Sequence, residues 1–356
     1  MKKINFYPGP SMLPPEVLEE ASENLKEYNH QGVSIAEISH RAPAFEKIID
    51  EASSLVNELM SLNNKFDILW LPGGASSQLI LAPMNLTSKN DTIAFVDTGF
   101  WATKAMNAAN QYCKIRVLDS AMSTHYDRIP KNWNPPKDVQ YLHIVSNETI
   151  DGTQYHSFPE VDVPIVCDMT SDFLSRKIPI DLFDVIFASA QKNFGIAGIT
   201  CVLIRKNKLT NRKPDFLPYI FDYQTEIDNR SLYHTSPTFP VYVAYLSLKW
   251  TKDQGGVQIM NERNKLKAGL LYKTLEESSV FNPMVVKEDR SIMNACFNAI
   301  NENIEKQFLD YATEQNIIGI KGWSTKGGFR ASMYNAMPLE SVQYLCDVMK
   351  EFESKL

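Results

Sequence analysis

Seven apolar runs of six residues recur between residues 66 and 205 and set most of what this chain can fold into: "FDILWL" (66–71), "TIAFVD" (92–97), "KIRVLD" (114–119), "YLHIVS" (141–146), "PIVCDM" (164–169), "VIFASA" (185–190) and "TCVLIR" (200–205). They are too short for buried helices and carry many β-branched residues, so they read as strands. Helix-patterned segments over 77–86 and 100–112 lie between some of them. Largely apolar strands alternating with helices predict an α/β layer: a mainly parallel sheet flanked by helices. Ligands of such sheets gather beyond the carboxyl ends of the strands.

Past "GGVQ" (255–258) the pattern changes. A long helix is expected over about 257–279, then the strand-like "SIMNACFNA", a helix near 303–315, "GGFRASMY", and a last helix over about 338–355. That is a smaller α+β unit. The proline-rich "INFYPGPSMLPP" is expected to be extended and to pack near it. A chain of 356 residues is long for a single core. The expected division is a large domain over 16–255 and a small domain built from 1–15 and 256–356.

Composition removes several classes. A net charge of −6 argues against a nucleic-acid-binding surface. No apolar run approaches the length of a membrane span. "MKKINFYPGP" has no apolar segment behind its lysines, so no secretory signal is expected and the protein is expected to be cytoplasmic. The five cysteines form no CxxC pair, and Cys167, Cys201 and Cys296 sit inside apolar runs as small core residues. The six histidines show no metal-ligand spacing, so no metal is expected.

Four strand ends carry unusual polar groups. "PGGASSQ" after the first strand is a glycine turn entering a helix, whose open N–H groups make either an ordinary turn or an anion site. Thr149, in "NETIDG", is either turn chemistry or a ligand. Asp168 lies inside "PIVCDM", and a buried carboxylate needs a partner. Lys192, in "FASAQKNFGIAG", stands where a buried strand gives way to a loop. It is either a solvated loop lysine or an amine kept out of water for chemistry. Trp101, in "DTGFWATKA", is a core residue or a stacking platform.

Together these groups match what pyridoxal phosphate requires. Backbone N–H groups at a helix start take its phosphate. A carboxylate pairs with the pyridinium nitrogen and keeps the ring an electron sink. A lysine whose pKa is lowered by burial bonds covalently to its aldehyde.

The residues also carry a resemblance along essentially the whole chain. "NFYPGPSMLP" (5–14), "ISHR" (38–41), "GFWA" (99–102), "NETIDG" (147–152), "SAQKNFGIAG" (189–198), "SPTFPVY" (236–242), "GGFRAS" (327–332) and "YNAMP" (334–338) resemble the phosphoserine aminotransferases. These are a family of the class V, fold-type I pyridoxal-phosphate enzymes. The resemblance implies that Lys192 holds the cofactor, Asp168 pairs with its ring nitrogen, Trp101 stacks on the ring, and Thr149 lies near its phenolic oxygen. It implies a phosphate site from Ala75, Ser76, Gln191, His234 and Thr235, the last two reaching a neighbouring subunit's site in a homodimer. Arg330 is implied to take the substrate α-carboxylate, and His40 and Arg41 its distal acidic group. The expected substrates are an amino acid and a 2-oxo acid, namely 3-phosphohydroxypyruvate with glutamate, giving phosphoserine and 2-oxoglutarate.

Some positions depart from the family. His234-Thr235 stands where relatives read Asn-Thr, Trp323-Ser324 where many have His-Arg, and Ser76 where some have arginine. These changes leave the cofactor chemistry and bear on the substrate. Lys326, two residues past Ser324, would point to the same side on an extended segment and restore part of the lost charge. The alternatives are a class V aminotransferase for a less anionic amino acid, or an inactive paralogue that binds the cofactor.

Overall fold

The computed structural model describes residues 3–209 and 217–356; Met1 and Lys2 of the expected small unit lie outside them. The chain begins with β1 (Ile4–Asn5), α1 (Pro15–Lys26) and α2 (Pro43–Leu59), followed by β2 (Phe66–Pro72) and α3 (Ala75–Leu86). Then come β3 (Thr92–Asp97), α4 (Phe100–Ala109), β4 (Lys114–Ser120), β5 (Leu142–Val145), β6 (Ile165–Asp168), β7 (Val185–Ser189) and β8 (Ile199–Arg205). After α5 (Tyr223–Asp228), α6 (Thr238–Asp253) and α7 (Gly256–Glu277), the last part adds β9 (Phe281–Pro283), β10 (Asn294–Ala299), α8 (Glu302–Glu314), β11 (Ile317–Ile318), β12 (Phe329–Ser332) and α9 (Leu339–Ser354).

All seven expected strands form one sheet in the order β2-β8-β7-β6-β5-β3-β4. β8 runs antiparallel to both β7 and β2, and the remaining pairs are parallel. Six strands therefore point the same way, and the carboxyl ends of β2, β3, β5, β6 and β7 share one edge. The central strands are buried throughout, as in β7 and β5. That explains why their sequences run apolar rather than alternate.

One apolar cluster, including Ile49, Trp70, Ile144 and Val243, fills one face of the sheet, and another, including Leu79, Phe95 and Phe187, fills the other. A separate core joins Phe6 to Leu271, Phe297, Phe308, Phe329 and Phe352. It packs α7, α8 and α9 against the three-stranded sheet β12-β10-β9. β1 pairs in parallel with β11, so the N-terminal segment lies on this second unit. The segment 323–328 is not extended: the N–H groups of Lys326 and Gly327 both donate to the Trp323 carbonyl at 2.9 Å, closing a turn. Among the described residues, no helix is long and apolar enough to cross a membrane, and no group of His, Cys, Asp or Glu is arranged to hold a metal ion.

His143 lies in β5 between Phe95 and Phe187, with ring centroids 5.1 and 6.1 Å away. Burial pushes its pKa down from 6.5 to about 3. The unfolded chain takes up a proton at this imidazole below about pH 6.5, while the folded chain does not until about pH 3. Stability therefore falls with pH across that window. The expected loss from this group between pH 7 and pH 5 is about 2 kcal/mol. Urea unfolding at the two pH values should show a slope smaller by that amount in His143→Leu. An unchanged slope would mean that His143 is not held neutral.

Candidate active site

The shared carboxyl edge of the sheet collects the expected residues. α3 begins at Ala75 directly after β2, with Gly74 at its N-cap and no side-chain cap. The first N–H groups of this helix are thus free of intrahelical partners and face an anion well. Trp101 stands in the first turn of α4, after β3. Thr149 follows β5, Asp168 ends β6, and Gln191 and Lys192 follow β7. A single cavity is lined by Gly74, Ala75, Ser76, Trp101, Thr149, Asp168, Gln191 and Lys192, joined by Asn147, Thr170 and Ser171.

Lys192 is 8 % exposed. Its Nζ donates to Thr149 Oγ1 at 2.5 Å and lies 5.6 Å from the Trp101 ring centre. Burial lowers its pKa from 10.5 to about 8; the nearby Asp168 carboxylate opposes that shift and Arg330 adds to it. Asp168 accepts a hydrogen bond from the Thr170 N–H at 2.9 Å. Burial raises its pKa, while the Thr170 contacts and the Lys192 charge pull it down. Ser11, on the N-terminal segment, donates its hydroxyl to the Lys192 carbonyl at 2.6 Å and its N–H to the Gln191 carbonyl at 2.9 Å.

Arg330 sits on β12, 5 % exposed. Its guanidinium reaches the Thr149 carbonyl at 3.5 Å, and its Nε is buried without a partner. Among the described residues, no carboxylate pairs with it. A buried guanidinium lacking a counter-ion is costly unless an anion arrives. The Trp101 Nε1 is likewise buried and unpartnered. Both atoms suit a site that takes a polar, anionic occupant.

Two further carboxylates shape the site and were not expected from the sequence. Glu148 accepts from the N–H groups of Trp101 and Ala102, each at 2.9 Å, and Asp151 accepts from the Phe100 N–H at 2.8 Å. They cap α4 from the loop that carries Thr149 and so hold Trp101 in place. Gly99 leaves room for them, since a Cβ there would lie 2.9 Å from the Glu148 carboxyl carbon. Burial, with the Asp151 charge second, pushes the Glu148 pKa up to about 8. Lys326 pairs with Asp151 at 2.6 Å and donates to the His125 carbonyl at 2.7 Å. Its charge is therefore committed to Asp151. The turn at 323–326 breaks the alternation that would have aimed it with Ser324. Trp323 packs on Phe100, with centroids 5.6 Å apart.

His40, Arg41, His234 and Thr235 do not line this cavity in the single chain. They gather elsewhere. Arg41 donates to the Tyr233 carbonyl at 3.4 Å, and His234 Nδ1 lies 2.9 Å from the buried Glu226. The His40 pKa is lowered by burial and then by Arg41 and His234. A roomier groove of about 450 Å³ beside Arg263 and Lys267 offers less chemistry, because Lys267 donates its amine to the Met333 and Tyr334 carbonyls.

Residues 4–345 match the model of the aminotransferase class-V family. The chain is 43% identical over 357 residues to a phosphoserine aminotransferase of Flavobacterium psychrophilum, covering 100% of both chains. Its fold superposes with a TM-score of 0.97 on a phosphoserine aminotransferase from Bacillus circulans subsp. alkalophilus, at 36% identity over 99% of each chain. A PLP-bound phosphoserine aminotransferase from Trichomonas vaginalis matches with a TM-score of 0.94 at 32% identity, over 98% of this chain and 100% of that one. The chain belongs to the phosphoserine aminotransferase family of class V aminotransferases. It is a pyridoxal-phosphate-dependent transaminase with the fold-type I architecture.

The residues present fit that cofactor: an open helix start for the phosphate, a buried carboxylate, and a desolvated lysine beside an unpartnered indole N–H. Covalent capture of pyridoxal phosphate by the cofactor-free protein requires the free amine. Its rate should rise with pH with a midpoint near 8, followed by the change in cofactor absorbance. A midpoint near that of free lysine would mean that Lys192 is not desolvated as described.

Proposed function

We propose that this protein transfers the amino group between glutamate and 3-phosphohydroxypyruvate, producing phosphoserine and 2-oxoglutarate for serine biosynthesis. The observation that carries the reading is the buried, uncompensated Arg330 beside Lys192. It provides a bidentate seat for an α-carboxylate next to the amine that does the chemistry. The names of the relatives support the phosphorylated substrate.

Bound pyridoxal phosphate supplies an electron sink for the carbanion left when a substrate amino acid loses its Cα proton. With the cofactor bound, the Lys192 amine would be placed to take up and return the substrate Cα proton. Its lowered pKa, about 8, leaves about a tenth of the amine unprotonated at pH 7, against almost none for a free lysine. Asp168 would pair with the ring nitrogen, Trp101 would stack on the ring, and Thr149 would bond near its phenolic oxygen. Ala75, Ser76 and Gln191 would hold the phosphate.

The same reading makes the protein a cytoplasmic homodimer. His40, Arg41, His234 and Thr235 form a patch away from their own chain's cavity. With Arg41 and Thr235 exposed and the two histidines half-buried, they suit the phosphate and distal-acid contacts of a neighbouring site. The division into a large domain over 16–255 and a small one from 1–15 and 256–356 belongs to this reading too; the separate core joining Phe6 to the C-terminal elements supports it.

Activity should be highest with phosphoserine as amino donor to 2-oxoglutarate, measured against aspartate and alanine. Arg330→Leu should lower kcat/KM by at least about a hundredfold, since a bidentate charged contact is lost. Equal rates on all donors would remove the assignment. Lys192→Ala and Arg41→Ala are each expected to be inactive, and mixing them after reversible dissociation should restore part of the activity. Hybrid dimers of the two would contain one intact site. An inactive hybrid would place Arg41 in its own chain's site, and an active Arg41→Ala would place it outside any site.

A further inference from the structure

We propose that Lys104 is a specificity-determining residue that contacts the distal anionic group of the substrate; this rests on the reading above that the substrate carries one. A phosphate monoester brings a charge of about −1.5 to −2 near neutral pH, and it must be met by cations at the mouth of the cavity. Within one chain the candidates are few. Lys192 is taken by the cofactor, and Arg330 faces the α-carboxylate. Lys326 is excluded by its pairing with Asp151 at 2.6 Å. Swinging it toward substrate would strand a buried carboxylate beside Glu148, itself 1 % exposed.

Lys104 stands differently. It is exposed, one turn along α4 from Trp101, so the two share a helix face. Its Nζ donates to Ser76 Oγ at 3.1 Å and lies 5.0 Å over the Trp101 ring. Ser76 and Trp101 are both walls of the cavity. Among the described residues, no carboxylate lies within ion-pair distance of Lys104. The lysine stem is flexible and its ammonium is a compact charge, so it can leave the Ser76 hydroxyl for a stronger anionic acceptor. Because the contact is exposed, its contribution is screened by salt.

The test uses the holoenzyme with Lys104→Met and Lys104→Arg, donors phosphoserine and glutamate, and 3-phosphoglycerate as an unreactive competitor of glutamate. Lys104→Met should lower kcat/KM for phosphoserine about tenfold, mostly through KM, the size of one charge-assisted contact. Glutamate, with a single distal charge, should lose less. The inhibition constant of 3-phosphoglycerate should rise about tenfold, Lys104→Arg should retain most of the wild-type preference, and added salt should erode the wild-type preference more than the methionine variant's. Equal losses on both donors together with cofactor release would assign Lys104 to the cofactor phosphate and overturn the proposal. Unchanged constants for phosphoserine and 3-phosphoglycerate would also overturn it. If the wild type does not use phosphoserine but Lys104→Met still weakens 3-phosphoglycerate, the substrate assignment fails while the anion contact of Lys104 stands.

Discussion

Charging an amine out of water is expensive, and Lys192 is placed where that expense is only partly offset. Its strand, β7, is buried along its length, so the residues that follow emerge into a desolvated edge rather than into solvent. Around the amine the structure sets a nearby opposing charge, Asp168, with Glu148 and Asp172 acting more weakly, one like charge, Arg330, and one hydroxyl, Thr149. A closer carboxylate would hold the lysine as a cation, and a wholly apolar pocket would leave nothing to bind the ring nitrogen. The arrangement keeps the amine titratable near neutrality and leaves Asp168 and Arg330 for an occupant. The strand directions make this possible. Six strands of the sheet point one way, so groups distant in sequence arrive at one edge, and the antiparallel β8 does not disturb it.

That edge was readable in the sequence because its signals are local. A buried strand needs an apolar run, and a polar residue at the end of such a run stands out. Asp168, Lys192 and Thr149 stand out in this way, Trp101 only as a platform for a ring, and the strands lie within a residue or so of their expected bounds. The short strands β1 and β11 were not distinguishable, since two residues carry no period. They exist because a distant segment pairs with each. Thr170 could have been noticed: two residues after an aspartate, its N–H is placed to bond the carboxylate, as it does at 2.9 Å. Ser11 could not, because its contact with Lys192 spans 181 residues.

Glu148 and Asp151 show the limit most clearly. In sequence they are two acids in a turn, indistinguishable from solvated ones. In the fold they close the N-terminus of α4, a helix whose own cap residue, Gly99, has no side chain to offer. Burial first, and repulsion by the Asp151 carboxylate second, make Glu148 hard to ionise. The helix dipole and three N–H groups offset part of that repulsion, and Lys326 offsets more. Strand alternation through 324–326 would aim Lys326 at the substrate with Ser324. A turn there, leading into Gly327 and Gly328 with φ of 70° and 58°, sends it to Asp151 instead.

The consequence reaches the substrate. The segment that follows this turn becomes β12 and carries Arg330, so the Lys326–Asp151 contact ties the strand bearing Arg330 to the loop bearing Thr149. Removing Lys326 would leave the buried Asp151 carboxylate without its counter-charge, a larger loss than a surface lysine recovers by meeting a solvated phosphate. Between a structural and a substrate role for Lys326, the energies favour the structural one. An exposed lysine bonded only to a serine hydroxyl faces the opposite balance. Lys104 gives up little by turning to an anion, and it stands on the same helix that the two acids hold in place. The charge that stiffens the site and the charge that reads the substrate thus belong to different lysines, separated by how deeply each one's partner is buried.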